Sequence, residues 1–242
     1  MKNADSIQDY YNKFYSNSKK FKALKSKFAL YYQEARLYAF SLFHDLKDKK
    51  ILEIGIGSGY ETKIFLKQRA KVTAIDISSR ALEMANKRYK KAYKNSFRTV
   101  KGDIHKLNFN ANSFDYIYGN SILMFVDHKK VLKECTRVLK PKGKIIIVDS
   151  LNKNLIAKIY RKLRAPWRRS IRPGYYDLKE NSAFSRSYKI KYRVFYFLSI
   201  FLLSLDHRKL LFRIVYAIDN YISKRFKLLH QYFWIVVLEI TK

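Results

Sequence analysis

Between residues 51 and 149 the hydrophobic positions alternate between two spacings. Ile51–Ile54, Lys71–Asp76, Phe97–Lys101, Asp115–Tyr118 and Lys144–Asp149 are short runs rich in Ile, Val, Tyr and Phe, the pattern of buried strands. Tyr60–Arg69, Ser79–Tyr93 and His128–Leu139 lie between them and carry helical spacing. Ser78 or Ser79 stands where an N-cap is needed, Glu83 and Lys87 form an i,i+4 pair, and Pro141-Lys142-Gly143 ends the last helix. Repeated strand–helix units with continuously apolar strands predict a parallel sheet covered on both faces. This is the doubly wound α/β class, whose ligands sit beyond the carboxyl ends of the strands.

The flanks differ. Residues 1–20 hold Tyr10, Tyr11, Phe14 and Tyr15 close together and read as a short helix or a lid over a site. Tyr31, Ala35, Tyr38, Leu42 and Leu46 recur at helical steps through Lys22–Leu46. Beyond Asp149, Leu151–Arg172 is basic and partly helical in pattern, and Pro173-Gly174-Tyr175 is a turn. Lys189–Phe197 reads as a strand, Leu210, Ile214, Ile218 and Ile222 line one face of a helix, and Trp234–Thr241 is a closing strand. With no internal repeat and no low-complexity linker, one domain over 1–242 is the simplest division: a helical lid (1–47), a core (48–150) and a substrate-side segment (151–242).

Composition adds two constraints. The formal charge of +32 attracts nucleic acid, anionic lipid or acidic substrates, although abundant Lys, Asn, Ile, Tyr and Phe together also fit a codon bias. The single cysteine, Cys135, leaves no internal disulfide framework and suits a reducing compartment; in a helical pattern between Glu134 and Thr136 it reads as packed. The first residues are polar, without a secretory pattern, and the strongly apolar run Val194–Leu205 is shorter than the roughly 20 residues of a membrane span. A cytoplasmic protein, peripheral at the inner membrane face, is the expectation.

The chemistry gathers at the strand ends. Three of only seven glycines stand at alternate positions in Gly55-Ile56-Gly57-Ser58-Gly59, directly after the first strand. Clustering so costly a residue implies a backbone that no side chain permits, close to a nucleotide. Glu53 ends strand 1. Asp76 ends strand 2, 17 residues after Gly59, where an acid accepts ribose hydroxyls. Asp103 follows strand 3, placed to accept from an adenine amino group, and Asn120 ends strand 4. A nicotinamide site shares the acid after strand 2, but spaces its glycines Gly-x-Gly-x-x-Gly.

Leu52-Glu53-Ile54-Gly55-Ile56-Gly57-Ser58-Gly59, Asp76, Gly102-Asp103-Ile104, Phe114-Asp115-Tyr116-Ile117 and Leu139-Lys140-Pro141-Lys142-Gly143-Lys144 resemble the class I S-adenosylmethionine-dependent methyltransferases, closely over about 48–150. The small-molecule, quinone and lipid members are the most similar. The resemblance implies a seven-stranded, mostly parallel sheet with helices on both faces, an antiparallel last strand, and a helical cap between the last two strands. It implies S-adenosyl-L-methionine as cofactor. Glu53, Gly55, Ile56, Gly57 and Gly59 would shape its loop, Asp76 with Ile77 hold the ribose, Asp103 with Ile104 the adenine, and Asn120 the methionine side. No metal is implied.

The acceptor is less legible. Many small-molecule members of the family carry His just after strand 4; here Ile122-Leu123-Met124-Phe125 stands there. His128 further on reads as a surface residue starting a helix, and no catalytic residue is assigned. The Asn/Asp-Pro-Pro-aromatic turn of amino-group methyltransferases is absent, and Cys135 does not suit cytosine-C5 chemistry. Lys158–Arg172 holds seven basic residues and no acid, interleaved with Tyr160 and Trp167, a composition suited to RNA phosphates or an anionic membrane. Tyr11, Tyr15, Arg164 and Trp167 are the substrate candidates. A small-molecule or lipid-like acceptor, met at the membrane surface, is the preferred reading; RNA methylation and a catalytically silent cofactor-binding module are the alternatives.

Overall fold

A computed structural model describes residues 4–16, 33–57, 59–164, 174–180, 188–202 and 210–242. Its strands are β1 (Lys50–Ile54), β2 (Lys71–Asp76), β3 (Phe97–Lys101), β4 (Phe114–Asn120), β5 (Leu139–Ser150), β6 (Lys189–Phe195) and β7 (Ile235–Thr241). Its helices are α1 (Ala4–Ser16), α2 (Gln33–Ser41), α3 (Thr62–Lys67), α4 (Ser79–Tyr89), α5 (His128–Val138), α6 (Leu155–Arg164) and α7 (Leu210–Arg225). The strands form one sheet in the order β3-β2-β1-β4-β5-β7-β6. β1 to β5 pair in parallel, and β7 runs antiparallel between β5 and β6.

Continuously apolar strands arise because both faces are covered. Ile51, Tyr118, Ile146 and Val148 pack with Phe65 of α3 and with Ala85 and Tyr89 of α4. Leu52, Ile54, Ile117, Ile145 and Ile147 point the other way, onto Val131, Leu132 and Cys135 of α5. The strand order reverses at β1, with β2 on one side and β4 on the other. That reversal opens a crevice at the carboxyl ends, where Glu53, Asp76 and Asn120 stand.

Several boundaries move from the expected ones, each for a local reason. The helix expected over Tyr60–Arg69 is about one turn shorter at Thr62–Lys67, and Arg69 takes a φ of 61° to leave it. The N-cap of α4 is Ser78, whose hydroxyl accepts from Ala81 N at 3.2 Å, and Glu83 pairs with Arg80 rather than serving Lys87. β5 begins at Leu139, because Leu139 already pairs with Phe114 before the register shifts. The last expected strand but one stops at Phe195, two residues early. Tyr196 adopts a φ of 65°, and the amides of Phe197, Leu198 and Ser199 all donate to the buried Asp219 of α7 at 2.9, 2.8 and 3.1 Å. Of the helix expected over Lys22–Leu46, residues 22–32 lie outside the described residues, and the described helix is Gln33–Ser41. The helical cap between the last two strands is α7, flanked by 3-10 turns at Ser199–Leu202 and Lys227–Tyr232.

Candidate cofactor and acceptor site

β1 delivers the chain into the loop with its amides still tied to β2: Gly55 N donates to Ile75 O at 2.8 Å and Ile56 N to the same oxygen at 3.4 Å. Gly55, Gly57 and Gly59 then take φ values of 67°, 50° and 60°, the left-handed region that favours glycine. Space is short as well. A Cβ at Gly55 would collide with the Ile122 side chain, and one at Gly57 would come within 2.6 Å of the Tyr15 hydroxyl. The backbone is therefore bare where a ligand would approach it.

Asp76 lies opposite this loop at the end of β2. Its Oδ2 accepts from Gly57 N at 2.9 Å and its Oδ1 from Ser78 N at 2.8 Å. Burial pushes its carboxyl up, against the amides of Ser78, Gly57 and Ile77 that pull it down. Three amides leave about one lone pair of the carboxylate to accept a hydroxyl. Ile77 is half-buried beside it and Ile56 buried beneath the loop.

Glu53 is buried at the end of β1 and accepts from Thr62 Oγ1 at 2.7 Å. Burial, with lesser repulsion from Glu61 and Asp76, pushes its carboxyl up to about 8. A folded-state value above the free value of 4.5 means that the fold binds this proton more tightly than the unfolded chain does. Stability from this group is full below pH 4.5 and is lost as the pH rises towards 8. The ligand-free protein is expected to melt roughly 5–10 °C lower at pH 8 than at pH 5, and Glu53→Gln to flatten most of that slope. Melting curves across the two pH values, for both chains, make the check.

Asn120 ends β4 and is held by Glu61, at the start of α3. Its Nδ2 donates to both oxygens of Glu61 at 3.1 Å, Tyr118 Oη donates to Glu61 Oε2 at 2.8 Å, and Arg36 of α2 pairs with Glu61. Only the tertiary fold brings α2 to the start of α3, so no local pattern announced this cluster. Ser121, with a φ of 57°, donates to Asn120 Oδ1 at 3.0 Å and steadies the amide from the other side.

Asp103, unlike Glu53 and Asp76, is not buried. It is exposed, and its Oδ1 accepts from His105 N at 2.9 Å and from the His105 ring at 2.6 Å. The His105 ring in turn accepts from Asp127 N at 3.0 Å through Nε2. Ile104 beside it is buried and available as an apolar wall. The substrate candidates divide. Tyr15 reaches the glycine loop, while Tyr11 meets Phe125 edge-on with ring centroids 5.6 Å apart. Arg164 ends α6, where the placement of its side chain is not described, and Trp167 lies outside the described residues.

α1 holds both tyrosines by packing across α4. Asn12 Oδ1 accepts from Ser78 Oγ at 2.7 Å, and Ile7 packs on Met124 and Phe125 of the turn after β4. Tyr10, Tyr11 and Tyr175 complete an aromatic wall there. That turn is fixed by Asp149, which accepts from Leu123 N at 2.7 Å and from Ser150 N at 2.7 Å while buried at the end of β5.

His128 begins α5 as expected but is not a surface residue. Its Nδ1 lies 2.6 Å from Glu180 Oε2 and its Nε2 2.7 Å from Leu123 O, so both nitrogens face acceptors. The ring ties residues 174–180 to the turn after β4 and is not free to act as a base. Cys135 is fully buried and its thiol is pushed up to about 12 by burial, which removes it as a nucleophile. No group of His, Cys, Asp and Glu suited to a metal occurs among the described residues.

Residues 52–147 match a family model described as a methyltransferase domain. This part of the chain is similar to methyltransferase domains. The demethylmenaquinone methyltransferase of Thermotoga maritima is 35% identical to this chain over 133 residues, 52% of this chain and 56% of that protein. A ubiquinone biosynthesis O-methyltransferase of Coxiella burnetii is 30% identical over 116 residues, 48% of this chain and 49% of that one. The chain thus spans about half the length of the curated relatives it matches. The methyltransferase fold extends further than the sequence match. Phosphoethanolamine N-methyltransferase 2 of Haemonchus contortus, solved with S-adenosyl-L-methionine, superposes over 96% of this chain and 60% of its own with a TM-score of 0.66 at 15% identity.

Proposed function

We propose that this chain is an S-adenosyl-L-methionine-dependent methyltransferase acting on a small, lipid-like acceptor of the quinone type. The observation that carries the cofactor half is Asp76. It is a buried carboxylate, oriented by the amides of Gly57 and Ser78, facing a loop whose three glycines all have positive φ. The residues present fit the cofactor: Asp76 would hold the ribose hydroxyls, the Gly55–Gly59 backbone would approach the methionine portion, and Glu53 and Asn120 would face its polar end. When bound, the cofactor supplies a methyl group already activated on a sulfonium. The chain's task is then alignment and exclusion of water.

The acceptor half is supported by the aromatic wall of Tyr10, Tyr11, Phe125 and Tyr175, which suits a flat apolar ring, and by the quinone-type names of the relatives. α1 acts as a lid in this reading, closing the site between the glycine loop and the Met124–Phe125 turn. An extract incubated with methyl-labelled cofactor and this protein is expected to place label in the lipid fraction. Label confined to the RNA pool, or none transferred although S-adenosylhomocysteine binds in calorimetry, would overturn the acceptor assignment.

A further inference from the structure

α7 is apolar on the side that faces away from the protein. Its inner face carries Phe212 and Asp219, both buried against the end of β6. The outer face carries Leu210, Ile214, Ile218 and Tyr221, spaced three and four residues apart, with exposures of 71, 49, 44 and 65%. The apolar surface continues through Phe226 and Leu228, the latter 88% exposed. A surface helix of a soluble domain ordinarily turns such a stripe inward and its charges outward. Contiguous exposure of this kind marks an interaction surface.

We propose that the outer face of α7 and the turn after it dock onto an anionic lipid bilayer. Charge selects this occupant. From Leu210 to Trp234 the basic residues are Arg213, Lys224, Arg225 and Lys227, and the one acid, Asp219, is buried. All four basic residues are exposed and lie beside the apolar stripe. A second copy of this chain would bring the same positive rim against itself, on proteins that each carry a formal +32. A bilayer with acidic headgroups meets both features at once, apolar side chains entering the acyl boundary and the rim resting on phosphates.

Position makes the surface useful. Phe195, the last residue of β6, pairs with Ile235, the first of β7, and Ser150 pairs with the same Ile235. The segment bearing α7 therefore leaves and rejoins the sheet at the edge where Asp149 orders the acceptor turn. Lys153 Nζ donates to Gln231 at 2.6 Å and Asn154 Nδ2 to Tyr232 O at 2.7 Å, tying the start of α6 to the turn after α7. A lipid-like acceptor would pass from the bilayer to the site along this edge. The inference deepens the lipid-like reading of the acceptor and rests on it only for that last step.

The test is co-sedimentation of the full chain with vesicles of phosphatidylcholine alone and of equal phosphatidylcholine and phosphatidylglycerol. Binding is expected to the anionic vesicles, weakening as salt is raised. Ile218→Asp combined with Leu228→Asp is expected to reduce it at least about tenfold with the melting temperature unchanged. Arg213→Glu with Lys224→Glu is expected to reduce it at low salt by a similar factor. Three results would overturn the proposal: vesicle binding indifferent to both double variants, binding of RNA but not vesicles, or a dimer in sedimentation that the apolar variant dissolves. Titration of S-adenosylhomocysteine on the same samples reports the cofactor assignment separately.

Discussion

Asp76→Ala is expected to abolish measurable binding of S-adenosylhomocysteine, a fall of at least about a hundredfold. Two effects add. The ribose hydroxyls lose a charged acceptor, and hydrogen bonds to charged groups contribute about 1.5–3 kcal/mol each. The amides of Gly57 and Ser78, now bonded to the two carboxylate oxygens, lose the partner that sets the loop's shape. Asp76→Asn separates the contributions. It keeps one acceptor oxygen and is expected to bind within about tenfold to a hundredfold of the parent. Calorimetry on both variants, beside a melting curve for each, makes the measurement. An alanine variant that melts as the parent does and binds as tightly would end the assignment of Asp76 to the ribose.

The second large effect is on stability. Asp149→Ala leaves the buried amides of Leu123 and Ser150 without their acceptor, at about 1–3 kcal/mol each. The melting temperature is expected to fall by roughly 5–15 °C, and methyl transfer to fall with it as the Met124–Phe125 turn loosens. Asp149→Asn is expected to behave differently. Burial pushes the Asp149 carboxyl from 3.8 up to about 6, against the amides of Ser150 and Leu123. The fold therefore binds that proton more tightly than the unfolded chain. This contribution to stability is full below pH 3.8 and is lost as the pH rises through about 6, a difference on the order of 3 kcal/mol. Asparagine keeps an acceptor and carries no charge, so at pH 8 it is expected to cost little or to stabilise, whereas alanine costs at every pH. Parallel urea titrations at pH 5 and pH 8 distinguish the two.

Much of the core was legible because its signals are local. A strand buried on both faces has to be apolar at every position, as Lys144–Asp149 largely is, and the next helix has to carry its own spacing and cap, as Ser78 does for α4. The glycine loop was legible for a related reason: positive φ at Gly55, Gly57 and Gly59 constrains residue type at those positions directly. Glu61 was not legible. Its importance lies in Arg36, Tyr118 and Asn120, which come from two other elements and share no spacing with it. Asp149 and His128 were missed likewise, since a strand-end acid and a helix-start histidine look solvated until the turn after β4 folds onto them.

α7 marks the same division most plainly. The sequence by itself determined that Leu210, Ile214 and Ile218 share one stripe, because helical periodicity is a property of the local chain. It also determined the Gly55–Gly59 loop, with Asp76 at the next strand end, from backbone sterics and strand spacing. Which way the α7 stripe faces was decided only by the tertiary structure. Asp219 on the opposite side captures three amides at the end of β6, and that long-range bond set turns Phe212 inward and the apolar stripe out. Periodicity fixes an angle around a helix; only contacts distant in the chain fix which angle meets the core.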